Sequence, residues 1–432
     1  MRSAPQTEVT AIETVGYVAL VRGNRAFRQL WLGQIISLLG DWFNLIASAS
    51  LVAELTQSGL AVGGLFVVRM LAPFLMSPIA GVVADRYNRK RILVVTDVSR
   101  AVVVLFFLLV REPGHVWLLY VLTAVQLGIS GFFFPTRNAI LPDLVSDREL
   151  GAANALSSAT WSVMLALGAA LGGLVSGAWG TRPAFIIDSL TFVLSAFFIF
   201  QIAYETPEAL AKADKTVAAA LRQYVDGLRY LKQHGDILVI TLLKASVALL
   251  VSSGFQVIQV SIAEQIFVIG HGGGISLGLM YAIVGVGTGI GPIIARQFTG
   301  DDNRRLRIGI GVGYGSAALG LLIVSFLSNF PLVLFGTLFR GIGNGLIWVF
   351  STQLLLQLVP NRVRGRVFAT EFAFFTLMSA TGAVVTGSAL DSGMGIDDVL
   401  RWMAALTLIP GLLWLLRLML TNTLDVGVER KA

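Results

Sequence analysis

Residues Gly81 to Arg91 read Gly-Val-Val-Ala-Asp-Arg-Tyr-Asn-Arg-Lys-Arg and lie between two long apolar runs. Asp85 and the cations Arg86, Arg89, Lys90 and Arg91 crowd the last part of this stretch. The segment is too short to fold as a domain of its own. Each flank supplies about 20 apolar residues, enough at 1.5 Å per residue to cross a hydrocarbon core roughly 30 Å thick. The stretch therefore reads as a tight, charged aqueous turn joining two membrane-spanning helices.

The composition agrees with that reading. Of 432 residues, 55% are hydrophobic and 13% charged, against roughly 25% charged in soluble domains. The spans read as helices and not as barrel strands, because alternation of apolar and polar residues over about 10 positions is missing. The net charge of +7 comes from cations gathered in alternate connections between spans, a pattern that reports topology and not a nucleic-acid partner. With no cysteine and with three scattered histidines, His115, His234 and His271, neither a metal nor another cofactor is expected. Residues before the first span mix charges with a short apolar run, Val15 to Val21, and lack a small-residue cleavage site. They read as a cytoplasmic tail.

Apolar windows place about twelve crossings between residues 28 and 420. Arg22, Arg25 and Arg28 precede the first, and basic connections follow the even-numbered ones: Arg86 to Arg91, Arg148, Arg222 to Lys232, Arg304 to Arg307 and Arg362 to Arg366. The opposite connections hold Arg111, Arg182 and Arg401. The positive-inside rule then puts both termini in the cytoplasm. The expected organisation is a cytoplasmic tail (1–27), a six-helix bundle (28–205), a cytoplasmic linker (206–235), a second six-helix bundle (236–420) and a final cytoplasmic tail (421–432). In the linker, Leu221, Tyr224, Val225, Leu228 and Leu231 recur at helical spacing, with Arg222, Arg229 and Lys232 on the other side. That pattern predicts an amphipathic interfacial helix. Pro78 and Pro292 lie 214 positions apart (292 − 78), and Gly151 with Gly365, Arg148 with Arg362, and Gly40 with Gly254 keep the same offset. A constant offset argues for two pseudo-symmetric bundles related by duplication.

The spacing Gly81-x3-Asp85-Arg86-x2-Arg89-Lys90 resembles the signature between the second and third helices of the major facilitator superfamily of transporters. Further stretches are similar to its bacterial exporter branch, which includes enterobactin exporters and macrolide efflux proteins. They are Leu-Trp-Leu-Gly-Gln from Leu30 onward, Phe134-Pro-Thr-Arg-Asn138 and Val359-Pro-Asn-Arg-Val-Arg-Gly-Arg-Val367. The resemblance runs from about Phe27 to Leu420. It implies an all-α membrane protein of twelve transmembrane helices in two six-helix bundles, with Gly81, Asp85, Arg86, Arg89 and Lys90 as a cytoplasmic gate. Two stretches depart from the family pattern. The fifth-span antiporter signature loses its proline and reads Gly168-Ala-Ala-Leu-Gly172-Gly173, glycines that still permit close helix packing. The fourth span offers Gln126 where many proton-coupled members carry an arginine. Arg340, the repeat equivalent of Gln126, heads Arg-Gly-Ile-Gly-Asn344 in the tenth span, which makes Gln126, Arg340 and Asn344 cavity candidates.

Charges inside spans need a partner or water, because an uncompensated one costs about 2.5 to 3.5 kcal/mol even on the lenient insertion scale. Asp41 falls about 15 Å beyond the interfacial Trp31. It is the acidic side chain expected near the midplane of the first half, paired with Arg69 of the second span. Asp97 and Arg100, spaced i and i+3, read as a local structural pair. Asp188 and Lys244 read as cavity candidates within a turn or two of an interface, where the lysine can snorkel. Asp41, Arg69 and Asp188 are the proton-coupling candidates. Glu371 is expected to contact the basic hinge.

The glycine runs from Gly285 to Gly291 and from Gly309 to Gly313 read as helix-packing faces, since a dinucleotide site needs a strand-turn-helix unit. The run His271-Gly-Gly-Gly-Ile-Ser276 imitates a hydrolase elbow, but no histidine follows Ser276. It reads as a flexible external connection, and no enzyme activity is expected. No Gly-x4-Gly-Lys-Ser/Thr loop for ATP occurs in the chain. The expected function is proton-coupled export of a small amphipathic compound, of drug, macrolide or siderophore type, by a monomer in the inner (plasma) membrane. Its expected partners are that small-molecule substrate, protons and membrane lipids. The alternatives are an uncoupled or lysolipid-type carrier and a nontransporting membrane sensor or scaffold.

Overall fold

The structure, a computed structural model, describes residues 16–204 and 217–429. The ends of both expected tails and the first part of the expected linker lie outside the described residues. The short helix α1 (Tyr17–Gly23) precedes six long helices. These are α2 (Arg25–Thr56), α3 (Gly59–Arg86), α4 (Arg89–Phe106), α5 (Val116–Leu144), α6 (Asp147–Trp179) and α7 (Thr181–Phe200). Helix α8 (Val217–Gln233) leads to the second half. There the seventh span is assembled from α9 (Gly235–Val247) and α10 (Ser253–Ser261), each followed by a π turn, at Ala248–Ser252 and Ile262–Ile266. It is followed by α11 (Gly274–Thr299), α12 (Asn303–Ser325), α13 (Phe330–Leu358), α14 (Asn361–Asp391) and α15 (Ile396–Glu429). Twelve spans are long and apolar enough to cross a bilayer, and no strand occurs among the described residues.

The polar residues between apolar runs act as helix caps. The side chains of Asn24, Ser58, Asn88, Asp302 and Asn329 accept from backbone amides at the starts of α2, α3, α4, α12 and α13. Ser146 and Glu149 form a reciprocal capping box on α6. Each pairs an amide that a helix start leaves open. In the charged hinge only Tyr87 and Asn88 separate α3 from α4. Arg86 thus sits in the last turn of α3, where the helix dipole favours a cation.

The halves join through α6 against α11 and α3 against α14. A Cβ on Gly173 of α6 would lie 2.5 Å from the Gly278 Cα of α11, and one on Gly387 of α14 would lie 2.5 Å from the Gly59 carbonyl of α3. Such backbone approach is open only to residues without side chains. These contacts, and the largest buried apolar cluster, lie toward the face opposite the hinge. On the hinge face, a Cβ at Gly81, Gly151 or Gly365 would meet nothing within 4 Å. The closest backbone approaches between the two bundles therefore lie on the far face.

One sequence expectation changes here. The His271 run is a packed junction and not a flexible connection. Gly273 adopts φ +66° and a Cβ there would lie 2.0 Å from the Ala263 carbonyl, while Ser276 hydrogen-bonds the Phe267 carbonyl. Helix α8 forms where the amphipathic pattern places it, and it touches the second half along one edge. Gly227 and Leu231 are buried, Gly227 against Thr370 and Arg366 of α14, whereas Val225 and Leu228 are exposed. The side chains of Leu221 and Tyr224 lie outside the described residues.

On the far face, Asp391 at the end of α14 reaches across to the start of α3. It accepts from the Ser58 hydroxyl at 2.6 Å, the Gly59 amide at 2.6 Å and the Leu60 amide at 3.2 Å. One half thereby caps a helix of the other. Loss of a cap costs about 1 kcal/mol. Asp391→Ala is expected to raise, about fivefold by that figure, labelling of Ser50→Cys by a membrane-impermeant maleimide applied to the far face. Ser50 is buried behind the seam, and the chain has no other cysteine. Unchanged labelling would show that this cap does not hold the face shut.

Candidate functional site

The site is built around α4. Arg100 lies about 11 residues beyond the start of α4, roughly 16 Å along its axis, and is only 1% exposed. At that depth its charge needs partners, and four helices, its own included, supply them. Asp97, one turn earlier, pairs with the guanidinium directly. Ser37 of α2 accepts at 3.1 Å, and Asp41 of α2 lies 3.6 Å away. The rings of Phe192 of α7 and Phe133 of α5 face the cation at 4.1 and 4.9 Å. Asp97 is held in turn by the Ser195 hydroxyl of α7 at 2.6 Å.

This geometry revises the expected pair. The ion-pair partner of Asp41 is Arg100. Arg69 lies within electrostatic range of Asp41, Asp188 and Tyr281, and its Nη1 is buried without a hydrogen-bond partner. Nor is Asp41 the lone acid at this depth. Asp97 and Asp188 are both fully buried beside it, and Asp188 lies next to Asn44. The i, i+3 spacing of Asp97 and Arg100 identifies a local contact, but it cannot show that α2 and α7 bring further charges to the same guanidinium. Asp41 differs from its neighbours in keeping 27% of its side chain exposed. The next residue, Trp42, crosses to the second half, where its ring meets Tyr281 of α11 at 5.6 Å. It also packs on Gly168, while Gly172 abuts Phe43.

The fourth span does carry a buried arginine. Helix α5 continues to Leu144 and so encloses Arg137, which bonds Gln34 of α2 at 2.5 Å and Ser157 of α6. Gln126 is buried with its Oε1 unpartnered. In the second half, Arg340 donates to the Val251 carbonyl at 3.1 Å, and Asn344 accepts from Ser252 at 3.1 Å. Both partners belong to the first π turn of the seventh span, where a wide turn breaks the regular helical ladder.

Lys244 does not snorkel and Glu371 does not contact the hinge. Both are buried, and they pair with each other at 3.0 Å. Each lies about ten residues inside its own helix, so each charge is desolvated and neutralised by the other.

At the hinge, Arg89 donates to Asp143 at 2.7 Å and to the Ala139 carbonyl at 3.0 Å, both on α5. Tyr204 also donates to Asp143, at 2.9 Å, and burial with that hydrogen bond pushes its phenol up to about 12. Lys90 lies over the Phe200 ring at 5.2 Å. These contacts stay within the first half. Gly81 faces open space, Arg86 is exposed, and the side chains of Asp85 and Arg362 lie outside the described residues.

The family model of the Major Facilitator Superfamily matches residues 30–383. The chain belongs to the major facilitator superfamily. Among its relatives, the uncharacterized MFS-type transporter YfiS of Bacillus subtilis (strain 168) is 29% identical over 408 residues, covering 92% of this chain and 94% of YfiS. A candidate bacilysin exporter, BacE of Bacillus subtilis, is 25% identical over 362 residues, covering 83% of this chain and 87% of BacE. The crystal structure of the nucleoside transporter NupG shares the fold, with a TM-score of 0.73 at 12% identity, covering 90% of this chain and 98% of NupG. The fold is thus that of a major facilitator transporter with twelve spans in two bundles.

For this major facilitator protein, Arg100 is the side chain whose loss should be felt most. Removing one partner of a buried ion pair costs about 3 to 5 kcal/mol. Arg100→Ala is expected to lower the melting temperature of the purified protein sharply, and Arg100→Lys to recover part of the loss, because lysine keeps the charge without the planar fork. Equal melting of the wild type and Arg100→Ala would contradict the central place given to this residue.

Proposed function

We propose that this transporter is a proton-coupled exporter of a small amphipathic compound, with Asp41 as the coupling carboxylate. One observation carries the reading. Asp41 is partly exposed, pairs with a buried arginine at 3.6 Å and lies beside the Trp42 contact between the halves. A carboxylate so placed feels two opposed influences, a low-dielectric surrounding that favours its neutral form and a guanidinium that favours its charge. When the halves rock, both influences change together. Protonation then biases the two-state equilibrium, and inward proton movement drives cargo outward. Export as the direction is supported by the similarity to BacE.

The arginines and lysines near the hinge support a cytoplasmic placement of that face and of both termini under the positive-inside rule, and the proposal takes the protein to work as a monomer in the inner membrane. In this orientation the glycine seam on the far face supports reading the structure as inward-facing. Asp85 and Arg89 then act as the gate that closes the cytoplasmic face in the opposite state, and Asp188 with Arg69 complete the coupling group.

In reconstituted vesicles, Asp41→Asn is expected to abolish uphill accumulation of amphipathic dyes driven by a pH gradient while keeping downhill exchange. A variant that still concentrates dye at the wild-type rate would remove Asp41 from the mechanism, and Asp188 would be the next residue to replace. Asp85→Asn is expected to leave insertion intact and to raise labelling of cysteines introduced on the hinge face. Unchanged accessibility together with unchanged transport would dismiss the gate.

A further inference from the structure

The Lys244–Glu371 pair has no part in the coupling scheme. It is nevertheless a built site. Glu371 of α14 and Lys244 of α9 are 3% and 5% exposed. Among the described residues, the one partner of Glu371 is the Lys244 ammonium at 3.0 Å. The remaining surroundings of that ammonium are aromatic, with Trp348 of α13 at 4.6 Å and Phe368 of α14 at 5.9 Å. From Trp348 the rings continue to Phe375 at 5.1 Å and on to Phe372 at 6.2 Å. Trp348 is 38% exposed and Phe372 49%, so the aromatic track is open at its end while the charges are buried. Lys244, Glu371 and Trp348 each lie about ten residues, or roughly 15 Å, from the hinge-side end of their helices. They share one level near the middle of the bilayer, on the hinge side of the far-face seam.

A buried pair of this kind contributes little to stability, because desolvation offsets its attraction. Its chemistry suits exchange. A cargo with one charge would leave either Lys244 or Glu371 unmatched in a low-dielectric wall. A zwitterion leaves neither unmatched, since its ammonium meets Glu371, its carboxylate meets Lys244 and the net charge of the wall is unchanged. The rings suit an apolar or aromatic body between or beside the two charged ends. We infer that Lys244 and Glu371, with Trp348, Phe372 and Phe375, form the cargo-recognition wall, and that the cargo is an amphipathic zwitterion carrying an ammonium, a carboxylate and an apolar body. This deepens the transporter reading above and rests on it.

The test uses the full-length protein in nanodiscs without a pH gradient, so that binding is read independently of coupling. The probe is tritiated alanyl-phenylalanine, displaced by its unlabelled form, its N-acetyl form, its C-terminal amide and the doubly capped compound. Hydrogen bonds to charged groups have magnitudes that correspond to about tenfold or more in affinity. The free dipeptide is expected to displace at least tenfold better than either singly capped form. Replacing both partners, Lys244→Met with Glu371→Gln, avoids a lone buried charge and is therefore the variant expected to fold. It should lose that preference and bind the doubly capped compound as well as the wild type does. Trp348→Ala should weaken all four compounds severalfold alike. Equal displacement by free and capped forms, a preference that survives in the double variant, or no binding of the probe would each overturn the assignment. A failure of Asp41→Asn to uncouple transport would leave this binding result standing, which separates the two readings.

Discussion

A guanidinium held at the middle of an apolar bundle is the constraint around which the first half is arranged. Arg100 is almost wholly enclosed, and an unpaired cation at that depth would not be tolerated without water or an anion. Helices α2, α4, α5 and α7 each supply something to it: an acid, a hydroxyl or a ring face. Their mutual positions are set by that shared obligation as much as by apolar packing. In a bilayer the lipid tails are as apolar as the side chains, so hydrophobic burial alone chooses poorly among helix arrangements. Polar contacts and close backbone approach make the choice.

The second half meets the same problem in another way. Its buried cations are divided between two places. Arg340 takes a carbonyl of the π turn in the seventh span, and Lys244 takes Glu371 with an aromatic surround. A duplicated architecture has thus kept its helix layout while its charges have been reassigned. One half places partly exposed Asp41 beside the junction, and the other places a neutral ion pair at the end of an aromatic track. Different chemistry in matched frames is the basis of the proposed division of labour, in which one bundle handles a proton and the other recognises a cargo.

Motion between the halves follows from where they touch. Glycine contacts of α6 with α11 and of α3 with α14 concentrate on the far face, and Asp391 adds a cap between the halves. Behind these seams, buried apolar residues of both halves, Leu45, Val52 and Ala169 with Val257, Leu277 and Ala383, share one cluster. The small residues let the backbones approach closely there, so opening this face exposes the shared apolar cluster and is the costly step of the motion. The hinge turn is by contrast anchored inside one half, with Arg89 tied to α5. The first bundle can therefore move as a body with its charged turn attached.

Much of the architecture was legible in the chain itself. Twelve apolar runs, basic residues in alternate connections and a repeat of constant offset follow from bilayer thickness, from charge retention on one side and from duplication, all of which act on local sequence. Cap residues such as Asn88 and Ser58 mark helix starts because capping is a local hydrogen bond. Asp41, Asp188, Lys244 and Arg340 stood out because charge is rare in apolar runs. Pairing was not legible. That Asp41 meets Arg100, that Lys244 turns inward to Glu371, that Arg137 lies inside the fourth span and that α8 buries Gly227 depend on helix rotation and on which neighbours arrive. Sequence spacing records the face of one helix. Only the tertiary packing of several helices decides which charges share a low-dielectric space, and there the electrostatic requirement to neutralise each charge selects the partners.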